Sequence, residues 1–160
     1  MSEILDSGAR REFETGAVRD IAEGKGRCDL LPLDVVGALL HDNILCNFGT
    51  FIHEGNEKCL VENFYHFASK VYSSFETAIL DVSVHYEDGC NKYGERNWEK
   101  GIPLHCFIDS AVRHYLKWRR EARDERHDRA FLWNILGALW TLKNKPEMND
   151  LPFAEKGKDA

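Results

Sequence analysis

The stretch L-V-E-N-F-Y-H-F-A-S-K-V-Y-S-S-F-E-T-A-I-L-D-V-S-V-H-Y, Leu60 to Tyr86, decides the fold. Its apolar residues fall at 60, 64, 67, 68, 71, 75, 78, 79, 82 and 86. That is the three-and-four spacing of a helix face, without the two-residue alternation of a strand. The segment is either one long helix or two helices broken at Ser73-Ser74.

Downstream, Gly94, Gly101 and Pro103 make Asn91 to Pro103 a loop. Leu104 to Arg120 is a second helix, with Phe107, Ala111, His114 and Trp118 on one face and Asp109, Arg113 and Lys117 on another. A last helix is expected to start near Asp124 or Glu125, where acids suit the positive end of the helix dipole, and to run to about Leu142. Phe131, Ile135, Ala138, Leu139 and Leu142 form its stripe, and Trp133 and Trp140 widen it, so this helix is expected at the centre. Upstream, Pro32 suits a first helical turn, Leu33 to Leu40 reads as a short helix, and Asp42 to Phe51 holds a second. Residues 1–31 are punctuated by Gly8, Gly16, Gly24 and Gly26 and read as an irregular arm, and residues 143–160 as a polar tail that frays. No strand is expected. The fold class is all-α: an antiparallel bundle of four to five helices over residues 32–142, with an irregular N-terminal arm.

Composition narrows the function. A chain of 160 residues suits one domain with a real core. A net charge of −6 leaves no general positive excess for a nucleic-acid polymer, though a local basic site for a small anion is compatible with it. No apolar run is long enough to span a bilayer, and the first residues lack the apolar core of a signal peptide. The five cysteines (28, 46, 59, 90 and 106) show no C-x-x-C spacing and read as reduced thiols, so a cytoplasmic location is expected.

Chemistry-bearing residues concentrate between Asn91 and Asn134. Lys92, Arg96, Lys100, Arg113 and Lys117, with Lys25 and Arg27 of the arm, either neutralise phosphates or form a solvated face. Tyr93, Asn97 and Trp98 offer rings and an amide to a base, and Trp98 alternatively plugs the core edge. His114 is either a satisfied core residue or a ligand contact. Asn134, in the most apolar helix, bonds either a neighbouring helix or a ligand. In the charged turn, Asp124, Glu125 and Asp128 either cap the helix or hold a divalent cation. Glu125 and Asp128, spaced E-x-x-D, would share one helix face. Carboxylates from a facing helix would complete such a site, and Asp81 and Glu87 are the candidates, with Asp88 beside them. His127, in the same turn, joins Glu125 and Asp128 as a candidate catalytic group.

G-A-V-R-D (16–20), E-G-K-G-R-C-D-L-L-P (23–32), K-Y-G-E-R-N-W-E-K-G-I-P (92–103), D-S-A-V-R-H-Y-L-K-W (109–118) and D-E-R-H-D-R-A-F-L-W-N (124–134) resemble the motifs of a phage and prophage family described as dATP/dGTP diphosphohydrolase-like. That family is similar to the all-α MazG-type nucleotide pyrophosphohydrolases and dimeric dUTPases. The likeness covers residues 16–34 and 79–142. It implies hydrolysis of a purine (deoxy)nucleoside triphosphate to monophosphate and pyrophosphate with Mg²⁺ or Mn²⁺, in a homo-oligomer in the cytoplasm (the host's, if phage-encoded), with no membrane partner. Lys92, Tyr93, Asn97, Trp98, Arg113, His114, Asp124, His127 and Asn134 match motif positions. Two departures stand out. Residues 41–75 look like an insertion, and the group's paired E-x-x-E and E-x-x-D signatures are only half visible: Glu125-x-x-Asp128 fits the second, no E-x-x-E occurs on the facing helix, where Asp81 and Glu87 are the nearest substitutes, and Glu54-x-x-Glu57 lies in a Gly- and Asn-containing stretch. The alternatives are a protein that sequesters a nucleotide without cleaving it, and a plain interaction protein.

Overall fold

The computed structural model describes residues 9–158. Seven helices fall among them: α1 (Leu33–Leu39), α2 (Asn43–Glu54), α3 (Lys58–Val71), α4 (Phe75–Tyr93), α5 (Leu104–Arg119), α6 (His127–Asn144) and α7 (Pro152–Lys158). The all-α class holds, with more and shorter helices than the four or five expected.

The Leu60–Tyr86 segment is two helices. Tyr72 is extended (φ −118°, ψ 154°), and the Ser74 hydroxyl accepts from the Thr77 amide at 3.1 Å, capping α4. Asp42 caps α2 in the same way, accepting from Leu45 N at 2.9 Å. Helix α4 runs on to Tyr93, inside the expected loop, and stops at Gly94, where φ is 93°. The remainder of that loop folds as a 3-10 turn at Asn97–Lys100. Residues 41–75 are part of the body, since α2 and α3 give the core Leu45, Phe48, Phe51, Leu60 and Phe67. The Phe67 and Phe131 rings meet at 4.4 Å between centroids, joining α3 to α6.

Three expectations give way. The arm contains an antiparallel hairpin, β1 (Arg10–Glu12) with β2 (Val18–Asp20), in register Arg10↔Asp20, Arg11↔Arg19 and Glu12↔Val18. Strands of three residues, rich in charge, carry no readable alternation. Helix α6 starts at His127 rather than at Asp124 or Glu125, because both acids turn their carboxylates to histidines instead of winding into the first turn. The C-terminal tail folds back: Leu151 is buried, and Phe153 meets Phe51 edge-on at 5.4 Å, against Gly55 at the end of α2. A Cβ on Gly55 would lie 2.5 Å from that ring.

Helices α5 and α6 share the most extensive contact. It depends on Gly137, where a Cβ would meet Phe107 Cε1 at 2.4 Å. Gly137→Ala therefore overpacks the interface. It should lower unfolding free energy by about 2 kcal/mol in urea titration, despite the helix propensity alanine gains. Phe107→Leu in the same chain should recover part of that loss.

His105 and Asp150 fasten the tail to the start of α5. The ring and the carboxylate are hydrogen-bonded, and His105 N donates to Asp150 Oδ1 at 2.9 Å. The Asp150 hydrogen bond raises His105 from 6.5 to about 10. Burial opposes ionisation of Asp150, but the bonds from His105 outweigh it and hold that carboxyl below its ordinary value. A raised histidine contributes fully below its unfolded pKa and loses its contribution as pH climbs to the folded one. Melting temperature should thus fall as pH rises from 6.5 to about 10, and Asp150→Asn should flatten that slope.

Candidate functional site

A cavity of about 880 Å³ opens between the hairpin, the C-terminal half of α4, and helices α5 and α6. Its walls carry seven cations (Arg11, Arg19, Lys25, Arg96, Arg113, Lys117 and Arg120) against three carboxylates (Asp20, Asp109 and Glu125). In a chain of net charge −6, the positive charge is concentrated at one place. Tyr86, Tyr93, Trp98 and Trp133 supply flat apolar surface beside it.

The hairpin delivers two of those cations together. Arg11 and Arg19 are register partners, and like charges directly opposite repel. The Arg19 guanidinium lies 5.6 Å from the Phe107 ring centroid and 5.5 Å from that of Trp133, and Nη2 donates to Asn134 Oδ1 at 3.5 Å. Burial lowers its pKa from the ordinary arginine value. Arg11 Nη2 reaches Cys106 Sγ at 3.2 Å. Arg113 Nη2 donates to Asp109 at 2.7 Å and to Gly26 O at 2.8 Å. Yet Arg11 Nε, Arg19 Nη1, Arg113 Nε and His85 Nδ1 are buried without a partner. Among the described residues the only other such atom is Thr141 Oγ1, so unmet hydrogen-bonding capacity gathers around this cavity. Burial is also the main reason His85 is pushed down to about 4, which leaves its ring neutral at physiological pH.

The expected substrate contacts divide. Lys25, Tyr93, Asn97, Trp98, Arg113, His114, Lys117 and Asn134 line the cavity. Arg27, Lys92 and Lys100 do not: Arg27 forks onto the buried Asp29 at 2.8 and 2.7 Å, Lys92 reaches Asp20 at 2.8 Å, and Lys100 is exposed. Asn97 has its amide already engaged. Oδ1 accepts from Val18 N and Nδ2 donates to Val18 O, both at 2.7 Å, so it holds β2 as a strand neighbour would. Trp98 is wedged edge-on between Tyr86 at 5.7 Å and Trp140 at 5.0 Å, which is the geometry of a plug at the core edge. Asn134 Nδ2 donates to Ala130 O at 2.8 Å and Ser110 Oγ at 3.2 Å, leaving Oδ1 to steer Arg19.

The carboxylates do not assemble as the E-x-x-D spacing implied. Glu125 precedes α6 and Asp128 lies inside it, so the two share no helix face. Asp128 forks onto Arg126 at 2.9 and 2.8 Å, and Arg126 also reaches Asp81 at 2.9 Å. Asp81 further takes Arg129 at 2.8 Å and the Tyr72 hydroxyl at 2.5 Å. Burial works against ionisation of Asp81, but the bonds from Arg129 and Tyr72 outweigh it and hold the carboxyl low. This cluster clamps α4 to α6 and lies outside the cavity wall, as do Asp124 and the exposed Glu87. Of the five acids expected to bind metal, Glu125 alone lines the cavity.

Glu125 instead joins the histidines. His114 Nδ1 and His127 Nδ1 lie 2.9 Å apart, and Glu125 Oε1 is 3.2 Å from the first and 3.6 Å from the second. Asp124 Oδ1 holds the far nitrogen of His127, Nε2, at 2.7 Å, and that bond lowers the Asp124 pKa. Burial drives His114 well below the usual histidine range.

Sequence reasoning missed Arg11, Arg19, His85, Asp109 and Ser110. His85 was legible, since it follows Ala78 and Val82 at i+7 and i+3 on the buried face of α4. The two arginines were not, because their partnership exists only in the hairpin register.

Asn97→Ala removes both anchors of Val18. It should destabilise the chain by about 2 kcal/mol and abolish exchange protection of the Val18 amide.

A family model described as dATP/dGTP diphosphohydrolase, N-terminal, matches residues 65–151, more than half of the chain. Neither a curated protein nor a solved structure matches.

Proposed function

Since the chain belongs to the dATP/dGTP diphosphohydrolase N-terminal family, we propose that its cavity takes a purine (deoxy)nucleoside triphosphate and that the protein splits it into monophosphate and pyrophosphate. The observation that carries this reading is the wall of cations, several with unmet donors, beside aromatic surface in an otherwise acidic chain. A triphosphate tail brings the charge and the acceptors that wall lacks. Arg113 and Lys117, one turn apart on α5, and Arg19, which the hairpin brings to the same cavity, would bind and orient the phosphates. Preorganised cations also stabilise charge that grows on a departing pyrophosphate. Trp133 and Tyr93 offer surface to the base.

Mg²⁺ held by oxygens alone does not fit the acids present. Asp81 and Asp128 are neutralised by Arg126 and Arg129, and Asp124 and Glu87 lie off the cavity, which leaves Glu125 as the one acid of this set on its wall. That dispersal also favours a second reading, nucleotide binding without cleavage.

Incubation with each nucleoside triphosphate in the presence of Mn²⁺, followed by chromatography, separates the readings. Purine monophosphate plus pyrophosphate is the expected product. Binding without turnover would leave sequestration, and neither would reject both. Arg19→Met gives a sharper sign. Losing a buried, half-satisfied cation should leave the melting temperature of the free protein unchanged or higher. Affinity for dATP or dGTP should fall by about 10- to 100-fold, the worth of charge-assisted hydrogen bonds.

A further inference from the structure

We propose that His114, His127 and Glu125 form a binding site for a borderline first-row transition-metal dication such as Co²⁺ or Zn²⁺, built into the cavity wall. Among the described residues these three make up the group of His, Cys, Asp or Glu whose ligand atoms all lie within 4.8 Å of one another. The edges of the triangle, at 2.9, 3.2 and 3.6 Å, bracket the separation of ligands around one ion. Metal–ligand bonds of about 2.0–2.1 Å place neighbouring ligands about 3.3 Å apart in a tetrahedron and about 2.9 Å apart in an octahedron.

An independent observation supports a ligand role for His127. Its Nε2 is hydrogen-bonded to the Asp124 carboxylate at 2.7 Å, and an ionised carboxylate only accepts. Nε2 is thereby taken up as the donor, and Nδ1 is the ring atom directed at the other two ligands. This is the carboxylate–histidine arrangement that orients metal-binding imidazoles.

Two nitrogens and one oxygen select a borderline ion over Mg²⁺, which asks for oxygen. His127 sits behind, 2 % exposed, while His114 and Glu125 line the cavity whose wall also carries Arg113 and Lys117, so an ion held by the three would be reached from that cavity. An ion there supplies Lewis-acid and water-activating chemistry. The bland alternative is a hydrogen bond between the two rings with no ion.

The proposal deepens the hydrolase reading and rests on it for the substrate, but metal uptake is measured without nucleotide. Chelator-treated protein is titrated with Co²⁺, Zn²⁺, Mn²⁺ and Mg²⁺ by calorimetry, and the Co²⁺ form is read by its visible absorption. One equivalent of Co²⁺ is expected, displaced by Zn²⁺ and not by equal Mg²⁺. Glu125→Gln and His114→Gln should each weaken uptake by at least about 100-fold. Asp124→Asn should weaken it by about 10- to 100-fold, and Glu87→Gln should leave it unchanged. Circular dichroism confirms that each variant is folded. No uptake by folded wild type, or uptake indifferent to both ligand variants, overturns the site. Uptake without nucleotide turnover upholds the site and removes the hydrolase reading. Turnover with Mg²⁺ and no transition-metal uptake overturns the site and leaves that reading intact.

Discussion

Helices α5 and α6 approach closely because the ring of Phe107 occupies the space that a side chain at Gly137 would fill. Every group at one end of the cavity is placed by this contact. Helix α5 carries Asp109, Ser110, Arg113, His114 and Lys117 along one edge, and α6 presents His127, Ala130, Trp133 and Asn134 opposite. Phe107 itself lies 5.7 Å from Trp133 and beneath the Arg19 guanidinium, so the packing that joins the helices also floors the cationic wall. Were the helices a little further apart, His114 and His127 would no longer face each other at 2.9 Å.

The hairpin completes the cavity from outside that pair. It presses two arginines against the bundle and is held by Asn97, which mimics a neighbouring strand, and by Asp20, which gathers Arg10, Lys92 and Tyr93. Apposed, partly desolvated cations oppose folding, and the free protein tolerates them because the rest of the core is well packed. A protein selected for stability alone would replace Arg19 with an apolar residue. Keeping it makes sense if an anion completes its bonds.

Much of the helical scaffold was legible because apolar spacing is a local property of the chain. The buried stripe of α6 follows from that spacing, whereas the spacing runs on across Ser73-Ser74 and left one helix or two open there, which the Ser74 cap decides. The hairpin was not legible, since pairs such as Arg11 with Arg19 are defined by long-range register and leave no period in three-residue strands. The site was legible in part. The Arg113-to-Asn134 segment does bring His114, Lys117, Glu125 and Asn134 to one cavity. Spacing misled at Glu125 and Asp128, because E-x-x-D shares a face only inside a helix, and α6 begins between the two. Asn97 and Lys92 misled differently: their chemistry suits a ligand, but each already has a partner within the chain.

The separation of charge between the cavity wall and the remaining surface bears on how a ligand would arrive. Subtracting a basic wall from a chain of net −6 leaves an exterior more acidic than the total suggests. At long range an approaching polyanion meets repulsion, and only within about a Debye length of the mouth does the sign of the potential reverse. A long polyanion keeps most of its charge outside that boundary, where the repulsion acts on it. A compact anion of a few charges can cross it. The same amino acids that make the protein acidic thus act as a coarse filter on size, ahead of any contact with the cavity itself.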